Sequence, residues 1–355
     1  MKVNFILPGL GESGGIQVVR QYAQLMNKRG IDTVIYSSLL ANNLYRYSSN
    51  TKNKIHQAYC TIKTIKEKKH KEEVVWVPTI NGKYIREADH TIATMWATAF
   101  EVAKLPAKCG KKWYFIQGFE IWDNKKLGLE SYKLPLNKIV ISTWINNQLK
   151  KNLGIGPFPI VYNGLDIDLF KPHGRTSLNK NISEESKTIL MMNHDNPVKG
   201  VDDGLKVLQR VRQQYSNTRF IMFGLRDNGN LPGYIEHYQD PSKEKLVELY
   251  QQSDIFLFPS HSDGWGLTPI EAMACGCAVV GTNTGFVLDL GEHGKNMMIS
   301  EPGDLDSMYI NVKALLDDSS LLNHLKKNGR TTVEKLSWIS STRNLIDVLT
   351  QSKSK

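Results

Sequence analysis

No stretch of this 355-residue sequence is apolar over the ~18 residues that a membrane-spanning helix requires. The apolar run near the N-terminus, Val3 to Leu7, ends at once at Pro8 and Gly9, so it lacks the core of a secretory signal peptide. Together, these two absences predict a protein that stays in the cytoplasm.

Cysteine is scarce, with four residues at positions 60, 109, 275 and 277. Their spacing provides no paired ligands for a zinc site. We therefore expect all four to be free thiols in a reducing compartment.

Acidic residues are few in the first half of the chain. Residues 1–165 contain 24 Lys and Arg against 11 Asp and Glu, whereas residues 166–355 contain 21 against 24. A basic half of this kind is attracted to anionic lipid, by ~1 kcal/mol for each basic residue near the surface. The predicted partner is an anionic membrane surface rather than nucleic acid, and the protein would be peripheral on the inner face of the plasma membrane. The basic half includes a run of five lysines, Lys63, Lys66, Lys68, Lys69 and Lys71. For this run, a solvated helix is the alternative to a membrane-binding helix.

The order of predicted elements indicates an α/β protein with two doubly wound parallel sheets. A strand at 2–7, a glycine-rich loop, a helix at 16–28 and a strand from Thr33 open the chain. The same order restarts with a strand at 188–192 and a helix at 201–214. Strands that alternate with helices predict parallel sheets, and this length favours two domains.

The first glycine-rich loop fits a dinucleotide fingerprint, since Gly9, Gly11 and Gly14 match G-x-G-x-x-G. That fingerprint also needs an acidic residue at the end of the second strand, to hold the adenosine ribose. Asp32 precedes this strand instead, and Ser37 and Ser38 end it. An NAD(P)-dependent oxidoreductase is therefore a disfavoured alternative.

The most informative stretch runs from His261 to Gly276. An apolar strand at 254–258 precedes it, and a helix is predicted to open near Leu267 and Thr268. The free backbone N–H groups of such a helix start bind phosphate. Glu271 lies one turn into the helix and Asp263 eight positions earlier, so both carboxylates can accept hydrogen bonds from sugar hydroxyls. This arrangement predicts a site for a nucleotide-sugar.

This stretch resembles the E-x7-E signature of the family 4 retaining glycosyltransferases, with Asp263 at the first acidic position. Asn163-Gly164-Leu165-Asp166 resembles the segment that enters the second domain in that family. The resemblance implies the GT-B fold, in which two Rossmann-like domains face an interdomain cleft. The predicted domains are 1–165 with a C-terminal helix at 337–355, and 166–336. Lys199 matches a lysine that neutralises the donor diphosphate, and His194 stands where the family has arginine.

The resemblance, together with positions just past strand ends, predicts three sets of site residues. The catalytic set is Asp263, Lys199, His194, Gln117 and Glu120. The donor-binding set is Gly15, Asn163, His194, Lys199, Gly264, Gly266, Leu267, Thr268 and Glu271. The acceptor-side set is Gly14, Thr94 and Trp96.

The predicted function is retaining sugar transfer from a nucleotide-diphospho-sugar to a hydroxyl of a glycan or lipid-linked glycan, in cell-surface polysaccharide synthesis. No cofactor is expected. No metal is expected either, because no Asp-x-Asp string stands at a strand end to hold one; the nearest candidate, Asp166 to Asp168, belongs to the domain-entry segment. Two further hypotheses stay open, namely a GT-B epimerase acting on a nucleotide-sugar and a non-catalytic membrane scaffold.

Overall fold

The computed structural model describes residues 1–9, 13–42, 44–45, 47–67, 74–122, 124–172, 186–225 and 231–351, with the side chains of 64, 66 and 67 left out. It has two compact units, Met1–Asn163 with Trp338–Lys355, and Gly164–Ser337. The middle of the fingerprint loop, residues 10–12, lies outside the described residues, as do Lys68, Lys69 and Lys71.

The first unit is built on a parallel sheet of six strands in the order β3-β2-β1-β4-β5-β6. Its central strand, β1, is buried from Val3 onward, as expected for a parallel strand covered on both faces. The strands are β1 Lys2–Leu7, β2 Asp32–Ser38, β3 Val74–Val77, β4 His90–Ala93, β5 Lys111–Ile116 and β6 Asn137–Val140. The helices are α1 Gly14–Lys28, α2 Asn50–Glu67, α3 Trp96–Ala103, α4 Lys125–Ser131, α5 Thr143–Leu153 and, from the end of the chain, α12 Trp338–Gln351.

The second unit repeats this plan, with strand order β12-β11-β10-β7-β8-β9. The strands are β7 Thr188–Met192, β8 Arg219–Gly224, β9 Ile235–Gln239, β10 Ile255–Phe258, β11 Ala278–Thr282 and β12 Met298–Ser300. The helices are α6 Val201–Gln214, α7 Lys243–Gln251, α8 Leu267–Ala274, α9 Val287–Leu290, α10 Leu305–Asp317 and α11 Ser319–Val333. Buried aliphatic and methionine side chains of β7, β10, α6 and α10 form its core.

The predicted fold class is confirmed, because both sheets are parallel and carry helices. In each sheet the strand order reverses once, between β1 and β4 in the first unit and between β7 and β10 in the second. Ligands of such sheets bind beyond the carboxyl ends of the strands at this reversal. A ligand of the second unit is therefore expected to bind at the loops after β7 and β10.

Two local predictions are adjusted by the structure. Helix α1 begins at Gly14, so Gly14 and Gly15 lie in its first turn rather than in the turn before it. Asp32 is the first residue of β2, and its carboxylate pairs with the Arg86 guanidinium at 2.7 Å. Asp32 is thus at the strand end opposite to the one where a ribose-binding acid would stand.

All four cysteines are free thiols. Within the described ranges, no helix combines the length and the apolar character needed to cross a bilayer.

Candidate functional site

The loops that follow β7 and β10 meet at the reversal of the second sheet. The Val198 carbonyl accepts hydrogen bonds from the backbone N–H groups of His261 at 2.8 Å and Ser262 at 3.2 Å. Gly200 has φ +66°, and a Cβ at this position would lie 2.0 Å from the Pro259 carbonyl oxygen. Only glycine permits so close an approach of the two backbones, so this residue fixes the loop that carries Lys199.

Lys199 and Asp263 form an ion pair across these loops. Lys199 Nζ lies 2.6 Å from Asp263 Oδ2, and both side chains are largely buried, at 23% and 14% exposure. The other carboxylate oxygen, Oδ1, accepts a hydrogen bond from the Trp265 backbone N–H at 3.2 Å. Lys199, predicted to bind the diphosphate, and Asp263, predicted to bind the sugar, are therefore in direct contact. The Asp263 carboxylate holds the Lys199 ammonium group at the sheet reversal.

His194 lies on the same loop as Lys199. Its Nδ1 accepts a hydrogen bond from the Asn196 backbone N–H at 2.9 Å, which leaves Nε2 as the N–H of the neutral ring. Desolvation and the nearby charge of Lys199 lower the pKa of His194 from its ordinary value of 6.5. Without a bound anion, this residue therefore offers one neutral hydrogen-bond donor rather than the charge of an arginine.

Helix α8 opens where the sequence predicts it. Gly266 is its N-cap, with φ 92°, and Leu267 is its first residue. The first backbone N–H groups of an α-helix have no partner inside the helix, and Pro269 contributes none. Behind this helix start the buried Trp265 ring packs edge-on against Phe286, with centroids 6.3 Å apart. The helix start is thus held by core packing, which preorganises its amides.

Glu271 lies one turn into α8 and is half-buried. The Tyr250 hydroxyl donates a hydrogen bond to Glu271 Oε2 at 3.0 Å. Tyr250 is fully buried on α7, and three phenylalanine rings pack against it edge-on, those of Phe170, Phe223 and Phe256. Burial raises the pKa of Glu271 to about 7. Tyr250 therefore orients a carboxylate that is only partly ionised near neutral pH.

The sequence interpretation missed Tyr250 because its position on α7 looked like a core position. A buried tyrosine hydroxyl needs a hydrogen-bond partner, which is the signal that could have linked it to an acid elsewhere in the chain.

We expect Glu271→Gln to stabilise the unliganded protein much more at pH 8 than at pH 5. The folded-state pKa of about 7 exceeds the ordinary 4.5, so the stability linked to this carboxyl is present below pH 4.5 and is lost as pH rises towards 7. The loss is about 3 kcal/mol at most. Glutamine carries no charge at either pH, so melting temperatures at pH 5 and pH 8 measure the difference.

Glu101 on α3 offers a matched control, because burial raises the pKa of its carboxyl to about 7 as well. Glu101→Gln should show the same pH-dependent stabilisation. If the melting temperatures of Glu271→Gln and the wild type differ by the same amount at both pH values, the raised pKa assigned to Glu271 is wrong.

In the first unit, Gln117 and Gly15 are brought together. Gln117 Nε2 donates to the Gly15 carbonyl at 3.1 Å, and a Cβ on Gly15 would lie 3.4 Å from the same nitrogen. The start of α1 is thereby tied to the end of β5. The predicted roles of Gln117, Gly14 and Gly15 stay predictions.

Three other candidates of the first unit belong to its core. The Glu120 carboxylate accepts from the Trp96 backbone N–H at 2.6 Å and from the Tyr114 hydroxyl at 3.0 Å. Trp96 is 2% exposed, and the Thr94 hydroxyl donates to the Ile6 carbonyl at 2.8 Å. A carboxylate at a helix start stabilises that helix. This geometry gives Glu120, Thr94 and Trp96 structural tasks, and the catalytic and acceptor-side roles predicted for them stay predictions.

Asn163, the last residue before the second unit, is also buried. Among the described residues, its Oδ1 has no hydrogen-bond partner. Its predicted contact to the donor stays a prediction, as does that of the half-buried Gly264.

Comparison with known proteins finds a family model that matches most of the second unit. Residues 175–332 match the family model for Glycosyl transferases group 1. The matched range covers most of the second unit and less than half of the 355-residue chain, so the chain is similar to this family there. The range contains His194, Lys199, Asp263 and Glu271, and the residues around the sheet reversal therefore all lie inside it.

Individual curated proteins are also similar to this chain. The chain is 33% identical over 100 residues to the capsular polysaccharide biosynthesis glycosyltransferase CapM of Staphylococcus aureus, a match that covers 28% of this chain and 25% of CapM. Matches to two other curated relatives, the uncharacterized glycosyltransferase MJ1607 of Methanocaldococcus jannaschii and the N-acetyl-alpha-D-glucosaminyl L-malate synthase of Bacillus anthracis, span about half of those proteins' lengths.

Two solved structures show the same fold over the whole chain. Sucrose-phosphate synthase from Thermosynechococcus elongatus superposes with a TM-score of 0.76 at 14% identity, covering 100% of this chain and 99% of that one. Anabaena HepE in complex with UDP-glucose superposes with a TM-score of 0.74 at 16% identity, covering 99% and 100%. The predicted GT-B fold class is thereby confirmed.

Proposed function

We propose that this protein transfers a sugar from a nucleotide-diphospho-sugar to a hydroxyl of a glycan or lipid-linked glycan acceptor, with retention of configuration. The observation that carries the proposal is the constellation at the reversal of the second sheet. There, Lys199 is paired with Asp263 beside the open amides of α8, and Glu271 follows one turn later. The relative CapM supports a place in surface-polysaccharide synthesis.

Each group has a task in the proposed reaction. Lys199 Nζ, His194 Nε2–H and the backbone N–H groups of 266–268 stabilise the negative charge that develops on the leaving diphosphate. Glu271 accepts hydrogen bonds from the ribose hydroxyls of the donor. Asp263 positions Lys199 and accepts from hydroxyls of the transferred sugar.

The bond changes balance without a protein nucleophile. The bond between the sugar anomeric carbon and the diphosphate oxygen breaks, and a bond to the acceptor oxygen forms on the same face of the sugar. The acceptor proton moves to the leaving diphosphate. Independence of a metal ion and of a cofactor is part of this proposal.

Thermal shift with UDP, GDP and dTDP and their sugars tests the donor site. HepE is known in complex with UDP-glucose, so UDP is the first nucleotide to try. We expect one nucleoside diphosphate to raise the melting temperature of the wild type, and the same nucleotide to act weakly on Lys199→Ala. If no nucleotide stabilises the protein, the donor site is refuted. Conversion of a nucleotide-sugar in the absence of any acceptor would instead indicate an epimerase.

His194→Arg should bind the preferred nucleoside diphosphate about five- to tenfold more tightly at pH 8, because a charged donor forms stronger hydrogen bonds than a neutral one. Wild-type affinity should rise as pH falls below 6.5, where His194 gains its proton, since the pKa of this ring is lowered from that value. The arginine variant should lack this step. Isothermal titration at pH 5.5 to 8 measures both effects.

His324→Arg is the control for the added charge, because His324 is exposed on α11 in the same unit. If His194→Arg binds no more tightly than His324→Arg, then His194 does not face the diphosphate.

The second proposed partner is an anionic membrane surface, which would attract the basic residues of the first half of the chain. The protein would then lie peripherally on the cytoplasmic face of the membrane.

A further inference from the structure

Helix α2 exposes an apolar stripe. The most exposed large apolar side chains among the described residues are Tyr59, at 66%, and Ile55, at 65%, and Ile62 on the same helix is 56% exposed. Their spacing of four and three residues places all three on one face of the helix. In a globular protein such a face normally packs against the core.

The opposite face of α2 is polar and points inward. Asn53 is buried, and its side-chain amide exchanges two hydrogen bonds with the Tyr47 backbone, at 2.7 and 2.9 Å. Gln57 Nε2 donates to the Ala41 carbonyl at 2.8 Å, and the Thr61 hydroxyl accepts from the Ala41 backbone N–H at 3.1 Å. These hydrogen bonds fix the rotation of the helix. The apolar face is therefore held outward by specific contacts.

Lysines flank the apolar stripe. Lys52, Lys54 and Lys63 are exposed, and helical geometry places Lys52 and Lys63 on one side of the stripe and Lys54 on the other. The sequence of α2 contains no acidic residue before Glu67, its last residue. Long lysine side chains beside an apolar stripe can keep their charge at phosphate level while the stripe enters the acyl boundary.

Two exposed aromatic side chains lie in the segments that precede α2 and follow β5. The Tyr45 carbonyl accepts from Asn124 Nδ2 at 3.2 Å, which ties the segment beside α2 to the loop after β5. Tyr45 is 52% exposed, and Trp122 in that loop is 55% exposed. Tyrosine and tryptophan favour the boundary between apolar tails and water.

We propose that the outward face of α2 docks on an anionic lipid bilayer, with Ile55, Tyr59 and Ile62 inserted below the headgroups. The charge pattern favours lipid over a second copy of this chain, because a two-fold contact through this face would bring two lysine-flanked stripes of like charge together. The inference deepens the membrane part of the proposed function by naming the surface and the mode of contact. It does not depend on the donor site.

Vesicle co-sedimentation of the full chain tests the proposal. The probes are vesicles of phosphatidylcholine with and without phosphatidylglycerol, and the variant is Ile55→Ser/Tyr59→Ser/Ile62→Ser. We expect the wild type to bind the anionic vesicles and the triple variant to bind them at least ~10-fold more weakly, since the inserted apolar area is lost while every lysine remains. Ile310→Ser is the matched control, because Ile310 is 60% exposed on α10 of the other unit.

Two results would overturn the proposal. In the first, the triple variant keeps its melting temperature and binds the anionic vesicles as tightly as the wild type does. The other is a wild-type dimer that becomes a monomer in the triple variant while vesicle binding stays the same, which would make this face an interface between copies. Lys199→Ala should bind vesicles like the wild type, so failure of the donor site and failure of this proposal can be told apart.

Discussion

Lys199→Ala is expected to lower kcat for sugar transfer by about 100- to 1000-fold, the loss seen when one preorganised donor to a developing negative charge is removed. Lys199 is the cation at the sheet reversal, and its position is set by Asp263 at 2.6 Å and by the Gly200 turn. The variant also leaves the Asp263 carboxylate without its counter-charge beside the leaving group. Both effects raise the energy of the transition state.

Steady-state kinetics with the nucleotide-sugar found by thermal shift measures this effect. Lys206→Ala is the control, because Lys206 lies on α6, is exposed and pairs only loosely with Asp203 at 3.5 Å. If the kcat of Lys199→Ala lies within a few-fold of the kcat of Lys206→Ala, then Lys199 does not stabilise the leaving diphosphate. A melting temperature near that of the wild type ensures that the loss is chemical.

Glu271→Ala should lower kcat/KM for the donor by about 100-fold or more, since hydrogen bonds to a charged group contribute about 1.5–3 kcal/mol each and two hydroxyls would lose their acceptor. The truncated side chain also leaves the Tyr250 hydroxyl buried without its present partner. We expect the loss mainly in donor KM and in nucleotide affinity, because the ribose is held in both the ground state and the transition state.

The control for this variant is Glu248→Ala on α7, where the carboxylate pairs with Lys245 near the surface. Binding of the nucleotide to Glu271→Ala with wild-type affinity would show that the ribose lies elsewhere.

Elements with strong local patterns could be predicted from the sequence. The strand predicted at 254–258 is β10 at Ile255–Phe258, and the helix predicted to open near Leu267 begins there. Both depend on contiguous apolar residues with glycine and proline beside them, which act locally. Strand β9, at Ile235–Gln239, was not predicted, because it lies at the sheet edge and only Ile235 is buried.

Features that depend on distant partners could not be predicted. The Lys199–Asp263 pair joins positions 64 residues apart, and the Tyr250–Glu271 bond joins two helices. Glu120 looked like a pocket residue because it follows a strand, yet its carboxylate caps α3. In α2 the sequence indicated a basic helix, but only the fold shows that its polar side faces inward.

The ion pair at the sheet reversal also bears on which anions the protein binds there. Since Asp263 already neutralises the Lys199 ammonium group, a small free anion such as inorganic phosphate would gain little by approaching it and would have to separate the two charges. The proposed nucleotide-sugar donor would bring hydroxyls for Asp263 and a diphosphate for Lys199, so it would satisfy both partners at once. Inorganic phosphate should therefore compete poorly with the nucleotide-sugar, because it brings no sugar hydroxyl for Asp263.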